Sequence, residues 1–178
     1  MPTNEATARA QLVFSLFDAD GNGFLEPADF DLMARRTVAA LPAADAEAGQ
    51  ALLSAFRRYG DTLVTELDAD GDGRISPQEF TAVVLDPRRF DATVDAFANA
   101  LAAMGDPDRD GFVTRPDFLA LLTAIGFAPH NIGELFEAFG PVDGDRIPVT
   151  TWADGIRDYY HPEKAGIAGD RLVPSTTS

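Results

Sequence analysis

The chain contains no cysteine among its 178 residues. Disulfides, thiolate nucleophiles and cysteine-based zinc sites are thereby excluded. Histidine is almost as scarce: His130 and His161 are the two, and each reads as a surface residue rather than a metal ligand. No G-x-S-x-G, phosphate-binding glycine loop, H-E-x-x-H or nucleophile–histidine pair occurs, so no enzyme is expected. No apolar run approaches the ~18 residues of a membrane-spanning helix. The opening M-P-T-N-E-A-T-A-R-A lacks an apolar signal core, so the expected location is cytoplasmic. Positive charge is also in short supply. Lys164 is the only lysine, and 29 acidic residues against 14 basic ones give a formal charge of −15. Such a chain repels phosphate backbones and anionic lipid, so neither nucleic acid nor membrane is an expected partner.

What is present is a foldable, acid-rich chain. Hydrophobic residues make up 46% of it, enough to bury a core rather than stay disordered. Arginine in place of lysine, with abundant alanine, suggests a GC-rich bacterial source. The acids fall in short D-x-D clusters, where like charges repel unless a cation lies between them.

The clearest cluster is residues 68–79, D-A-D-G-D-G-R-I-S-P-Q-E. A hard cation such as Ca²⁺ takes six to eight oxygens at about 2.3–2.6 Å, and alternate residues of a tightly curled loop can aim their carboxylates at one centre. Asp68, Asp70 and Asp72 hold positions 1, 3 and 5 of the twelve-residue calcium loop, with Gly73 at the sharp turn. The Arg74 carbonyl, Ser76 (directly or through water) and a bidentate Glu79 complete the expected ligands. Ser76-Pro77-Gln78-Glu79 also reads as a helix start with a capping box. Both readings hold together, because such a loop hands over to its exit helix there.

Two more loops repeat the pattern. Residues 18–29 place Asp18, Asp20, Asn22, the Phe24 carbonyl, Glu26 and Asp29 at the ligand positions. Residues 106–117 place Asp106, Asp108, Asp110, the Phe112 carbonyl, Thr114 and Asp117 there. Both end in Asp where Glu is usual. Asp is one methylene shorter, so it is expected to give one oxygen and to admit Mg²⁺, which is six-coordinate. A fourth loop, 140–151, has Gly140 and Thr151 in place of its end ligands. Asp143 and Asp145 alone make no calcium cage, so this loop is expected to be a structural partner of the third.

Apolar residues at helical spacing flank every loop. The series includes Val13, Phe14 and Phe17; Phe30 and Met33; Leu52, Phe56 and Leu63, with a bend expected at Gly60; Phe90, Val94 and Phe97; and Trp152 and Ile156. One helix–loop–helix unit cannot bury its own apolar face, so the units should pair. The position-8 residues Leu25 with Ile75, and Val113 with Ile147, are the expected bridges. Successive loop starts lie 50, 38 and 34 residues apart, with no long linker between the halves.

These loops identify the chain as a member of the EF-hand superfamily. Three intact loops, a lapsed fourth and a long first gap resemble the sarcoplasmic calcium-binding proteins and their bacterial calerythrin-like relatives. The likeness covers residues 5–160 and departs from the calerythrin pattern in keeping the second loop and losing the fourth. It implies an all-α fold of four EF-hand units in two pairs, packed into one compact body. Residues 1–86 would form the first pair, 87–160 the second, and 161–178 a tail that docks in a groove or stays mobile. It further implies an intracellular Ca²⁺ buffer or store with some Mg²⁺ competition. Thirteen Phe against three Met favour a fixed core over an adaptable target-binding surface. The alternative is a Ca²⁺ sensor that exposes an apolar surface to a protein partner. A monomer is the expected state, and a protein target is possible though the sequence does not indicate one.

Overall fold

The computed structural model describes residues 2–18, 21–41, 46–67 and 74–173. Asp20, Asp68, Asp70, Asp72 and Gly73 lie outside the described residues. The chain forms α1 (Asn4–Phe17), α2 (Pro27–Ala39), α3 (Ala46–Leu67), α4 (Pro77–Val84), α5 (Pro87–Met104), β1 (Phe112–Thr114), α6 (Arg115–Ile125), α7 (Pro129–Ala138), β2 (Arg146–Pro148) and α8 (Val149–Tyr159). A short 3-10 turn, Ala168–Leu172, follows. The fold is all-α, with eight helices and one two-stranded ribbon among the described residues.

Local chemistry sets the helix starts. Pro27, Pro77, Pro87 and Pro129 each open a helix, where a missing N–H costs nothing and φ is already helical. Ser76 Oγ accepts the Glu79 N–H at 3.2 Å, while the Glu79 carboxylate accepts the Ser76 N–H at 2.9 Å. The capping box read from the sequence is therefore formed. Gly126, at φ +123°, ends α6 by donating its N–H to the Leu122 carbonyl.

The four units pair as expected. Leu25 and Ile75 exchange both backbone hydrogen bonds at 2.9 Å. β1 and β2 are antiparallel with Val113 opposite Ile147 and Thr114 opposite Arg146. One continuous core joins the pairs. Tyr59 of α3 is fully buried, and its ring lies 4.8–6.3 Å from those of Phe17, Phe30, Phe80, Phe90, Phe97 and Tyr160. Its hydroxyl meets that of Tyr160 at 3.1 Å. α3 packs on α5, and α2 on α6, so both loop pairs share this floor.

One sequence expectation fails here. α3 runs through Gly60 without a break. A Cβ at Gly60 would lie 3.0 Å from Cδ2 of Phe30. The glycine serves the close approach of that ring, not a bend.

Beyond α8 the chain doubles back over α1. Arg9 is fully buried and holds the returning segment. Its Nε donates to the Tyr159 carbonyl at 2.8 Å, and Nη2 donates to the His161 and Lys164 carbonyls at 3.1 and 3.0 Å. Nη1 pairs with Asp170 at 2.6 Å. The Thr3 N–H donates to the Pro162 carbonyl at 2.8 Å. Leu172 is buried and, with Gly169, closes a small apolar cavity of about 60 Å³ that Phe97, Leu101, Trp152 and Tyr160 also line.

Candidate metal centre

Loop III, residues 106–117, shows how the backbone gathers the acids. The loop leaves α5, and left-handed residues Arg109 (φ +57°) and Gly111 (φ +85°) curl it. Asp106 Oδ1 accepts the Asp110 N–H at 3.1 Å, and Oδ2 accepts the Gly111 N–H at 2.9 Å. Asp108 Oδ1 accepts the same Asp110 N–H at 3.2 Å, and Asp110 Oδ1 accepts the Phe112 N–H at 2.9 Å. The result brings one carboxylate oxygen from each of Asp106, Asp108 and Asp110 within 4.8 Å of the others. Two oxygens that bind one cation at about 2.4 Å are at most about 4.8 Å apart, so the cluster is the right size for one calcium ion. Thr114 and Asp117 line the same depression as Asp108 and Phe112. Every candidate side-chain donor is an oxygen, which suits a hard divalent cation and not a soft one.

Crowding leaves an electrostatic mark. Burial, aided by shared hydrogen bonds with Asp108 and Asp110, raises the Asp106 carboxyl above the usual range. The Phe112 amide, with neighbours that include Arg146, lowers that of Asp110. A bound cation would relieve both the desolvation and the repulsion.

Loop I repeats the geometry wherever it is described. Asp18 Oδ1 accepts the Asn22 N–H at 3.2 Å, Asp18 Oδ2 accepts the Gly23 N–H at 2.9 Å, and Asn22 Oδ1 accepts the Phe24 N–H at 2.9 Å. Asp29 is buried, and its Oδ2 accepts the Glu26 N–H at 3.0 Å. The position-12 acid thus also caps α2, as Glu79 caps α4. Of loop II, Arg74, Ser76 and Glu79 are described, and they stand beside loop I through the Leu25–Ile75 bridge.

Loop IV is built differently. Asp145 takes a left-handed conformation at φ +57°. Arg115, at the start of α6, grips it with Nε to Oδ2 at 2.7 Å and Nη2 to Oδ1 at 2.8 Å. The same guanidinium meets Glu137 and lies 4.6 Å above the Phe136 ring. Arg115 holds the Asp145 carboxyl below its ordinary range, and the acids raise the guanidinium in turn. The sequence carries no signal for this partner, because Arg115 lies 30 residues away across the ribbon.

Paired, oxygen-lined loops joined by a two-stranded bridge are the architecture of an EF-hand protein. The family described as an EF-hand domain pair matches residues 7–85. The whole chain is calerythrin-like. It is 27% identical over 167 residues to calerythrin of Saccharopolyspora erythraea, across 90% of this chain and 94% of calerythrin. It is also 27% identical to a solved Streptomyces coelicolor calcium-binding protein, with a TM-score of 0.72 over 89% of this chain and 99% of that one. That structure is described as a basis for prokaryotic calcium-mediated regulation. Calcium-loaded apo-aequorin from Aequorea victoria, at 12% identity, shares the fold with a TM-score of 0.70, over 92% of this chain and 94% of its own. The bacterial, calcium-binding character read from the sequence stands. No helix among the described residues is long and apolar enough to cross a membrane.

Proposed function

We propose that the protein is a calcium buffer that takes up ions at loops I, II and III and presents no target-binding face. The ligands would be Asp18, Asp20, Asn22, Phe24, Glu26 and Asp29; Asp68, Asp70, Asp72, Arg74, Ser76 and Glu79; and Asp106, Asp108, Asp110, Phe112, Thr114 and Asp117. Phe24, Arg74 and Phe112 would act through their carbonyls. Three ions would bring the formal charge from −15 to −9. Loops I and III, ending in Asp29 and Asp117, would accept Mg²⁺ as well. Residues 1–86 and 87–160 would act as the two pairs of one cytoplasmic, non-enzymatic monomer.

The observation that carries the buffer reading is the seated tail. A sensor must leave an apolar groove uncovered when it binds calcium. Here Leu172 is buried over the cavity, and Arg9 fastens the segment with four hydrogen bonds. The sensor reading draws its support from the Streptomyces relative and its described role in regulation. Fluorescence of a hydrophobic dye on the metal-free, magnesium-loaded and calcium-titrated protein separates them. A signal that falls on metal binding and stays low is expected of the buffer. A rise above the magnesium level on adding calcium would hand the case to the sensor. For selectivity, Asp29→Glu should raise the preference for calcium over magnesium, and no gain would refute the role given to the shorter acid.

A further inference from the structure

In both loop pairs the even-numbered loop carries an arginine at position 7, Arg74 and Arg146, and the odd-numbered loop carries a phenylalanine at position 7, Phe24 and Phe112. The guanidinium of Arg74 lies 5.8 Å from the Phe24 ring centre, and that of Arg146 lies 4.0 Å from the Phe112 ring centre. From this perch each arginine reaches a carboxylate of the facing loop. Arg74 Nε meets Glu26 Oε1 at 3.2 Å, and Arg146 Nη1 meets Asp110 Oδ2 at 3.3 Å. Exposed ion pairs usually contribute little, because two mobile side chains must be ordered in water. Arg146 is already ordered by other means. Its backbone sits in β2, its carbonyl accepts the Val142 N–H at 2.8 Å, its Nε donates to the Asp143 carbonyl at 3.0 Å, and its ring contact is close.

We propose that Arg146 is a tethered cation that competes with calcium for Asp110 and so lowers the calcium affinity of loop III. This rests on the reading of loop III as a calcium site. Asp110 is the acid whose oxygen must turn to the ion, and the carboxylate already has a positive partner on the same molecule. An ion entering the cluster must either displace the guanidinium or accept a positive charge one carboxylate away. Either route weakens binding, by an amount that Coulomb attraction between exposed, water-screened charges sets at about three- to tenfold. Arg74 instead takes Glu26, the position-9 residue of loop I, which such loops often use only through water, so the brake is stronger on loop III, where a position-5 ligand is held. It would let the second pair release calcium sooner than the first without changing the ligand set.

The test is a calcium titration of the full chain in 0.1 M salt, followed through the Gly111 and Gly23 amide resonances. Each amide donates to the first aspartate of its own loop, so each reports the filling of that loop. Arg146→Gln should tighten loop III about three- to tenfold and leave loop I unchanged. Arg157→Gln is the control for overall charge, since Arg157 pairs with Asp95 and Asp154 away from the loops. Arg146→Lys keeps the charge without the planar fork and should fall between wild type and Gln. Unchanged or weaker binding in Arg146→Gln, or an equal gain in Arg157→Gln, would overturn the inference. A Gly111 resonance in the wild type that never responds to calcium would instead overturn the reading of loop III as a site.

Discussion

Loops III and IV face each other across one three-residue ribbon and meet the same electrostatic problem with different cations. Loop III draws three carboxylates together with backbone amides and, as a calcium site, would rely mainly on an ion from solution to neutralise them, with Arg146 reaching only Asp110. Loop IV keeps the curled backbone but meets Asp145 with Arg115, a cation supplied by the chain itself. The first solution would make folding depend on metal, and the second would not. A lapsed loop of this kind is therefore more than a loop that lost its ligands. Held by Arg115, it would be a fixed partner that presents β2 to β1 whether or not calcium is present.

The largest effect that separates the two loops is removal of metal. A ligand held at about a thousandfold its dissociation constant stabilises the folded state by about 4 kcal/mol per site. The calcium-free protein should therefore melt well below the calcium form, and Asp106→Asn should abolish the part of that difference due to loop III. Asp145→Asn should leave the calcium dependence intact. Equal melting temperatures with and without calcium would remove the basis for the contrast.

Next in size is the floor that both loops share. Trp152 is almost fully buried, with its ring 4.8 Å from Phe118. It packs so closely under Gly105, one residue before loop III, that a Cβ there would lie 2.7 Å from Cζ3 of the tryptophan. Trp152→Ala should cost about 3–5 kcal/mol, from lost burial and the cavity left behind, measured by denaturant unfolding. A loss below about 1 kcal/mol would mean that the ribbon and Arg115, and not the core, hold the loops in place.

How much of this the sequence makes legible follows from the same contrast. Loop III can be read from the chain because its ligand order is fixed by local geometry. Positions 1, 3 and 5 lie within five residues, and their amide partners lie two to five residues further on. Loop IV can be read as lapsed for the same reason, yet its replacement cation cannot. Arg115 sits inside loop III's own sequence, and only the register of β1 on β2 aims it at Asp145. Arg9 is a second case. The spacing of Ala10, Val13, Phe14 and Phe17 marks the buried face of α1, and position 9 lies on that face, but the sequence gives no sign of what would accept a buried arginine's N–H groups. It is buried because carbonyls 150 or more residues away accept its N–H groups. Tyr59 joins two halves that composition alone leaves as separate pairs.

A smaller effect tests the internal cation directly. Arg115→Gln removes the two-pronged grip on Asp145 and the contact with Phe136. It should lower the melting temperature of the calcium-loaded protein by about 2–4 °C, the range of a single partly exposed charge partner in a chain of this size. Calcium binding to loop III should persist in this variant, because Arg115 contacts none of its acids. If loop III lost affinity as well, the ribbon would be transmitting the state of one loop to the other.

The finest separation is in pH, because the two loops respond with opposite sign. Arg115 lowers the Asp145 carboxyl, so the unfolded chain binds that proton more readily than the folded one. Its contribution is present above the unfolded value of 3.8 and is lost as pH falls through the lower folded value. Asp106 is raised by burial, so without metal the folded protein binds its proton more readily than the unfolded chain. Ionising it destabilises the metal-free fold at neutral pH, and that penalty fades as pH falls through the raised value. Urea unfolding of the metal-free protein from pH 7 to pH 3 should show both signs. Asp106→Asn should be more stable than wild type at pH 7, with the gap closing as the pH drops toward the carboxylate range. Asp145→Asn should be less stable at pH 7, with its gap closing only at the acid end of the series. Gaps of the same sign would mean that loop III's acids are already neutralised from within, and that the two loops differ in ligand number alone.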